Sequence, residues 1–205
     1  NLDAGPLDKQ RVPVRSARGS VTWSADTLTL ALQRVEGIRG AASGGLTWSG
    51  ASGLSAKLEL TGIDVSTIYS TATPIRIDGT LNYTLVDQTQ RFVGTLRSDG
   101  AVTVAKDRSI ELAADFNLLL RDQVLNIETA RLRLADGRAE LAGRAELHGS
   151  YAARIKGTFD SLDLARLFKG FDTRLNGSAE LDARFRPTIA GRAEIALSDS
   201  RLMGR

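Results

Sequence analysis

Apolar residues recur at every second position over most of the chain, with polar or charged residues between them. Leu28, Leu30 and Leu32 alternate with Thr27, Thr29 and Ala31. The spacing returns at Leu54, Leu58 and Leu60, and again at Leu81, Tyr83 and Leu85. The longest run sets Ile110, Leu112, Ala114, Phe116, Leu118 and Leu120 against Glu111, Asp115 and Asn117. Further runs follow at Leu132 and Leu134, and at Ala139, Leu141, Ala145 and Leu147. The last are Ile155 and Phe159, then Leu181, Ala183 and Phe185, then Ile195 and Leu197. Successive side chains of a strand point to opposite faces, so a period of two gathers the apolar set on one side and the charges on the other. The pattern predicts roughly a dozen to fourteen strands, far above the strand content of an average domain.

Turn signals separate the runs. Asp99-Gly100 and Asp136-Gly137 are hairpin dipeptides, the second joining 131–134 to 139–147. Short antiparallel connections imply a meander, in which neighbours in sequence are neighbours in space.

Two segments break the alternation and read as one or two helical turns, 63–69 and 162–168. They match position by position at an offset of 99 residues, and 77–80 matches 175–178 at an offset of 98. The match extends back into 54–60 and 153–159. The chain therefore reads as a single continuous β segment, 1–205, with approximate internal repeats at 53–100 and 151–199. Repeated supersecondary units imply a stacked, quasi-one-dimensional architecture; a convergent strand–turn–strand pattern would look the same.

Several glycines fall in phase with the apolar side: Gly79, Gly94, Gly143, Gly157 and Gly191. Glycine weakens a strand interior, so its repeated placement on one face calls for a reason. A sheet curled on itself crowds its concave side, and a missing side chain permits the bend. Room for something other than protein, or corners in an ordinary sandwich, would give the same spacing.

Composition narrows the function classes. The 205 residues include 20 glycines and 4 prolines, which suits a sheet that bends more than one broken by loops. Net charge is +3 and the pI about 9.5, but the bases are interspersed with acids, as in Glu140, Arg144 and Glu146. That is a solvated strand face, without the clustered cations and stacking aromatics of a nucleic-acid groove. With no cysteine, thiol chemistry and cysteine-bound zinc are excluded. No run has the length of a membrane helix and no signal peptide opens the chain. The first residue is not Met and the last three are Met203-Gly204-Arg205, so the chain reads as an internal piece of a longer protein.

Catalytic readings find little support. His148 follows a strand with no nucleophile motif beside it, and no Gly-x-Ser-x-Gly elbow is present. Neither Ser43-Gly44-Gly45 nor Ser52-Gly53 is followed by the Gly-Lys-Ser/Thr of a phosphate cradle. Asp64 and Asp163 are equivalent across the repeat, and a capping role at the start of each helical turn accounts for both. Metal ligands at a defined spacing are lacking. The expectation is a non-enzyme without cofactor or metal.

Several motifs, in order, carry a resemblance. Gly45-Leu46-Thr47-Trp48-Ser49-Gly50 leads into Leu54-x-Ala56-x-Leu58-x-Leu60 and Ile63-Asp64-Val65. Pro74-Ile75-Arg76-Ile77-Asp78-Gly79 and Gln90-Arg91-Phe92 follow, then Leu132-x-Leu134-Ala135-Asp136-Gly137-x-Ala139-x-Leu141-x-Gly143. Gly177-Ser178-Ala179-Glu180-Leu181, Pro187-Thr188-Ile189-Ala190-Gly191 and Asp199-Ser200-Arg201-Leu202-Met203-Gly204-Arg205 complete the set. From about Ala42 onward the chain resembles the TamB group of the AsmA-like family of bacterial envelope proteins.

The resemblance implies an all-β, elongated antiparallel sheet curled lengthwise into a hydrophobic groove, a β-taco. It implies a parent anchored in the inner membrane of a Gram-negative bacterium and spanning the periplasm. It further implies transport of phospholipid between the membranes, and outer-membrane protein assembly with TamA, a partner of the Omp85 type. The groove lining expected from the apolar parity is Leu30, Leu58, Leu60, Leu81, Tyr83, Leu112, Phe116, Leu118, Leu120, Leu132, Leu134, Leu141, Leu147, Ile155, Phe159, Leu181, Phe185, Ile195 and Leu197. Two other readings share the same pattern: a scaffold that pairs outer-membrane strands at its edges, and a closed sandwich acting as a spacer.

Overall fold

Leucine, isoleucine and valine alternating with threonine, serine and charged residues suit a pleated, half-covered surface, and that is what the chain builds. The structure, a computed structural model, describes residues 14–37, 40–64, 76–98, 102–105, 108–134, 136–163, 174–186 and 188–200. They are all-β and antiparallel, and no described residue is helical. The chain divides into two compact units, Asn1–Gly100 and Ala101–Arg205.

The first unit is a six-stranded meander: β1 (Val14–Ser24), β2 (Thr27–Gly37), β3 (Ala41–Ser49), β4 (Gly53–Asp64), β5 (Arg76–Val86) and β6 (Thr89–Ser98). Each strand pairs with the next in sequence. The second unit opens with a small hairpin, β7 (Val102–Ala105) and β8 (Arg108–Ile110). It continues as another meander: β9 (Leu112–Arg121), β10 (Val124–Leu134), β11 (Gly137–Glu146), β12 (Ala153–Asp163), β13 (Arg174–Arg184) and β14 (Ala190–Leu197). Among the described residues, contacts of any extent within each unit run only between ladder neighbours. Each meander is thus an open single layer, where most domains close two layers over one core.

Two of the tight turns are built alike. Asp87-Gln88 has φ of 47° and 64°, and Asp122-Gln123 has 49° and 59°. Positive φ at both central residues is the type I′ geometry, whose twist matches that of the flanking strands.

One-residue bulges interrupt several strands, and four of them matter to the apolar face. Leu60 faces Gly79 and Ile63 faces Ile77, so Thr61 and Gly62 of β4 together oppose Asp78 of β5. β12 repeats this: Phe159 faces Gly177 and Leu162 faces Leu175, leaving Asp160 and Ser161 opposite Asn176. At both places the extra residue is left-handed (Gly62 φ 57°, Ser161 φ 52°) and its amide N–H is taken by the opposing side chain. Gly62 donates to Asp78 Oδ1 at 2.6 Å, and Ser161 to Asn176 Oδ1 at 2.7 Å. β2 carries an extra residue between Leu32 and Val35, and β10 one between Ile127 and Ala130. In each case the apolar spacing in sequence changes from two to three at the bulge. The inserted residue absorbs that change, so the apolar set stays on one face.

The first two residues of each expected helical turn need correction. Ile63 and Asp64 end β4, and Leu162 and Asp163 end β12, as strand residues. The remainder of those segments, 65–69 and 164–168, and hence any capping by Asp64 or Asp163, lies outside the described residues. Asp99-Gly100 lies outside them too. A hairpin does join β10 to β11, but Leu134 pairs with Gly137, so of the dipeptide only Asp136 lies in the turn and Gly137 opens β11.

Candidate functional site: the apolar face

Directly paired residues of an antiparallel ladder share a face, so the register assembles the apolar side rung by rung. In the first unit one rung runs Trp23, Leu28, Trp48, Leu54, Leu85, Gln90. The next is Val21, Leu30, Leu46, Ala56, Tyr83, Phe92, followed by Gly19, Leu32, Gly44, Leu58, Leu81, Gly94. Past the bulge in β2 comes Ala17, Val35, Ala42, Leu60, Gly79, Leu96.

The second unit has the same construction. Its rungs are Leu120, Leu125, Ala145, Ala153, Ala183, Gly191, then Leu118, Ile127, Gly143, Ile155, Leu181, Ala193. Two more follow: Phe116, Ala130, Leu141, Gly157, Ala179, Ile195, and Ala114, Leu132, Ala139, Phe159, Gly177, Leu197. No charged side chain occurs in any of these eight rungs.

These faces are sheltered without being covered. In β4, β11 and β12 the apolar residues are half-buried while most of the alternate ones are exposed, the asymmetry of a sheet curled toward its apolar side. Yet Ala183 is the only hydrophobic residue buried outright among the described residues. Val21 is 67% and Ile195 67% exposed, on edge strands β1 and β14. An apolar surface of this extent on a single layer marks a contact surface.

The in-phase glycines let neighbouring chain come close; they are not vacancies. A Cβ on Gly157 would lie 2.5 Å from Leu141 Cδ2, so the Leu141 side chain already lies over that glycine. A Cβ on Gly79 would stand 2.0 Å from the Thr95 carbonyl oxygen and 3.0 Å from Leu96 Cδ2. Glycine therefore alternates with leucine or phenylalanine along the rungs to pack the crowded side. The idea of space reserved at these glycines for a non-protein occupant is overturned at both positions. Nor do these glycines mark corners between two layers, since the described residues of each meander form one.

The opposite face is polar and solvated. Arg154 donates to Asp182 at 2.9 and 2.5 Å, Lys156 lies 3.0 Å from Glu180, and Arg131 lies 3.3 Å from Glu140. All six side chains are well exposed, so each pair contributes about 0–1 kcal/mol. The hydrogen bond from Arg34, with one from Ser16, holds the Glu36 carboxyl below the usual carboxylate range. One surface depression of the second unit lies around Arg144, Arg154 and Asp182, and others lie around Lys156, Glu180 and Glu194 and around Arg131, Arg138 and Asp160. No group of His, Cys, Asp or Glu among the described residues could hold a metal ion. No helix among them is long and apolar enough to cross a membrane.

No family model matches this chain, and neither a curated protein nor a solved structure matches it. Its chemistry has to be read from the face itself. The ladder brings every expected lining residue onto the apolar rungs of its unit except four. Leu112 and Leu134 pair with each other one rung further along, still on that face; Leu147 and Phe185 lie beyond the last paired residues. Leu147 donates its amide to the Gln123 carbonyl at 2.8 Å, Phe185 to that of Ser150 at 3.1 Å, and both are nearly half exposed.

Sequence reasoning missed other members of the same rungs, among them Val21, Trp23, Val35, Leu46, Trp48, Leu125 and Ile127. Val35 and Ile127 flank bulges, and the three-residue step in apolar spacing is the signal that finds them. Trp23 and Val21 are readable as a pair two apart, continuing into the run that begins at Leu28.

Proposed function

We propose that the chain is a segment of a protein that carries lipid between two membranes, with acyl chains lying against the apolar faces and the charged faces turned to water. Its setting in this reading is the periplasm, within a parent anchored in the inner membrane, and it supports outer-membrane biogenesis. One observation carries the proposal: each unit presents several consecutive apolar rungs, and among the described residues no second layer lies over them. Each methylene removed from water contributes about 0.8 kcal/mol, so an extended apolar strip lowers the cost of moving an acyl chain through an aqueous gap. An aliphatic lining without convergent polar groups holds a chain at no fixed point, which suits sliding over trapping.

Photo-crosslinking amino acids at Leu118, Leu141 and Phe159 test this. They should capture phospholipid, and native mass spectrometry should detect lipid co-purified with the protein. Capture of protein neighbours alone would refute the reading and favour a closed spacer.

A second reading is a scaffold for outer-membrane protein assembly, acting beside an Omp85-type partner. The observation favouring it is that, among the described residues of their units, β1 and β14 each pair with one strand and present exposed apolar residues, Trp23 and Val21 on one, Ile195 and Leu197 on the other. Such an edge can accept a further strand. It predicts that proline substitutions in β14 abolish assembly while changes to Leu141 do not.

A further inference from the structure

The apolar face of the first unit has two chemically different ends. Its four described aromatic residues, Trp23, Trp48, Tyr83 and Phe92, occupy only the two rungs nearest the turns at 25–26, 50–52 and 87–88. The next two rungs hold nothing but Leu, Val, Ala and Gly. Trp23 is 71% and Trp48 43% exposed, and they flank Leu28 in one rung. The polar ends of these rings are engaged near the same turns: the Trp23 indole N–H donates to the Ala25 carbonyl at 3.1 Å, and the Tyr83 hydroxyl to Gln90 Oε1 at 3.4 Å. Rings with an apolar body and a polar tip belong where an apolar layer meets water.

Charge adds a second, independent asymmetry. The turns at this end carry two exposed acids, Asp26 and Asp87, and the Gly50 amide donates to the Asp26 carbonyl at 3.4 Å, tying the turn after β3 to the one after β1. Within 19–33, 44–56 and 77–90 there is no lysine or arginine; the base of this end, Arg91, sits between Gln90 and Phe92 at the alternate position of β6, opposite Thr84 and so on the other face.

Resting on the lipid reading, we infer that the first unit orients its ligand: the head lies at the Trp23–Trp48 rung, the acyl tail extends over the leucine–glycine rungs, and the head bears an ammonium group. An ammonium is attracted both to exposed indole faces and to the two acidic turns, whereas a purely anionic head is repelled there. The aliphatic rungs offer the tail a surface with no competing polar group.

The chain has only two tryptophans, both in this one rung, so its fluorescence reports on a single level of the face. Phosphatidylcholine probes would carry a doxyl quencher beside the acyl carbonyl, at mid-chain or beside the terminal methyl. Quenching should be strongest for the first and be lost stepwise toward the third. A choline-headed probe should bind about fivefold tighter than its glycerol-headed counterpart, and the combined Asp26→Asn and Asp87→Asn change should abolish part of that preference while leaving the quenching order intact. A flat or reversed order would overturn the orientation. Equal or tighter binding of the glycerol-headed probe would overturn the ammonium assignment. Absence of quenching by every probe would remove the lipid reading beneath both.

Discussion

The bulge in β4 is held by a bond that a single substitution removes cleanly. Asp78 accepts the Gly62 amide at 2.6 Å in a half-buried setting, and Asn176 does the same for Ser161 at 2.7 Å. In Asp78→Ala the Gly62 N–H loses its acceptor at a place where the ladder offers no other. A hydrogen bond to a charged group contributes about 1.5–3 kcal/mol. Partial access of water to the half-buried amide places the expected loss near the low end, about 1.5 kcal/mol. Spread over a unit of this size, that corresponds to a fall in melting temperature of roughly 6–12 °C. Asp78→Asn keeps the acceptor, as the second site does naturally, and should recover most of the stability. Chemical denaturation measures the difference, and hydrogen exchange locates it: the Gly62 amide should exchange much faster in Asp78→Ala and close to normally in Asp78→Asn. Equal stability of wild type and Asp78→Ala, or equal damage by Asn and Ala, would refute this account of the bulge. Asn176→Ala should cost more, because its Nδ2 also donates to the Asp199 carbonyl at 2.9 Å.

Other substitutions probe the face and the turns. Gly79→Ala should destabilise the β4–β5–β6 region by more than about 2 kcal/mol, since the new methyl meets backbone that cannot step aside, while Gly45→Ala, with its nearest neighbour at 3.7 Å, should be tolerated in the same thermal melt. Gly157→Ala should fall between them, because the nearest obstacle there is the movable end of Leu141, and the backbone oxygen of Glu140 stands further off at 3.1 Å. Gln88→Gly should raise stability by about 1 kcal/mol by relieving a left-handed non-glycine residue, read from the denaturation midpoint. Leu141→Arg should abolish lipid transfer between donor and acceptor vesicles while Arg144→Glu leaves it intact; equal tolerance of both would count against the face as the working surface.

Strand content and facing are legible in the chain's local pattern. A period of two depends only on near neighbours, and it places Leu58, Leu81, Leu118 and Leu141 on one side of their strands whatever those strands pair with. The β10–β11 hairpin is readable to within one residue from Asp136-Gly137, although the pairing of Leu134 with Gly137 makes that glycine a strand residue. The helical reading of Ile63-Asp64 and Leu162-Asp163 fails because the bulge before each pair shifts the apolar spacing from two to three, and a step of three imitates a helix over a short window.

What the sequence determined alone is therefore the alternation, the polarity of each face and the matching of the two copies, all set by side-chain type and spacing. What only the tertiary structure decided depends on residues far apart in the chain. It chose which residues share a rung, such as Trp23 with Leu28 and Trp48. It laid Leu141 over Gly157, and it turned Asp78 and Asn176 into acceptors for amides across the ladder. Among the described residues it also left each apolar face without a covering layer, because pairing each strand with its sequence neighbours uses the inner backbone groups of the meander and brings no described element back over the face.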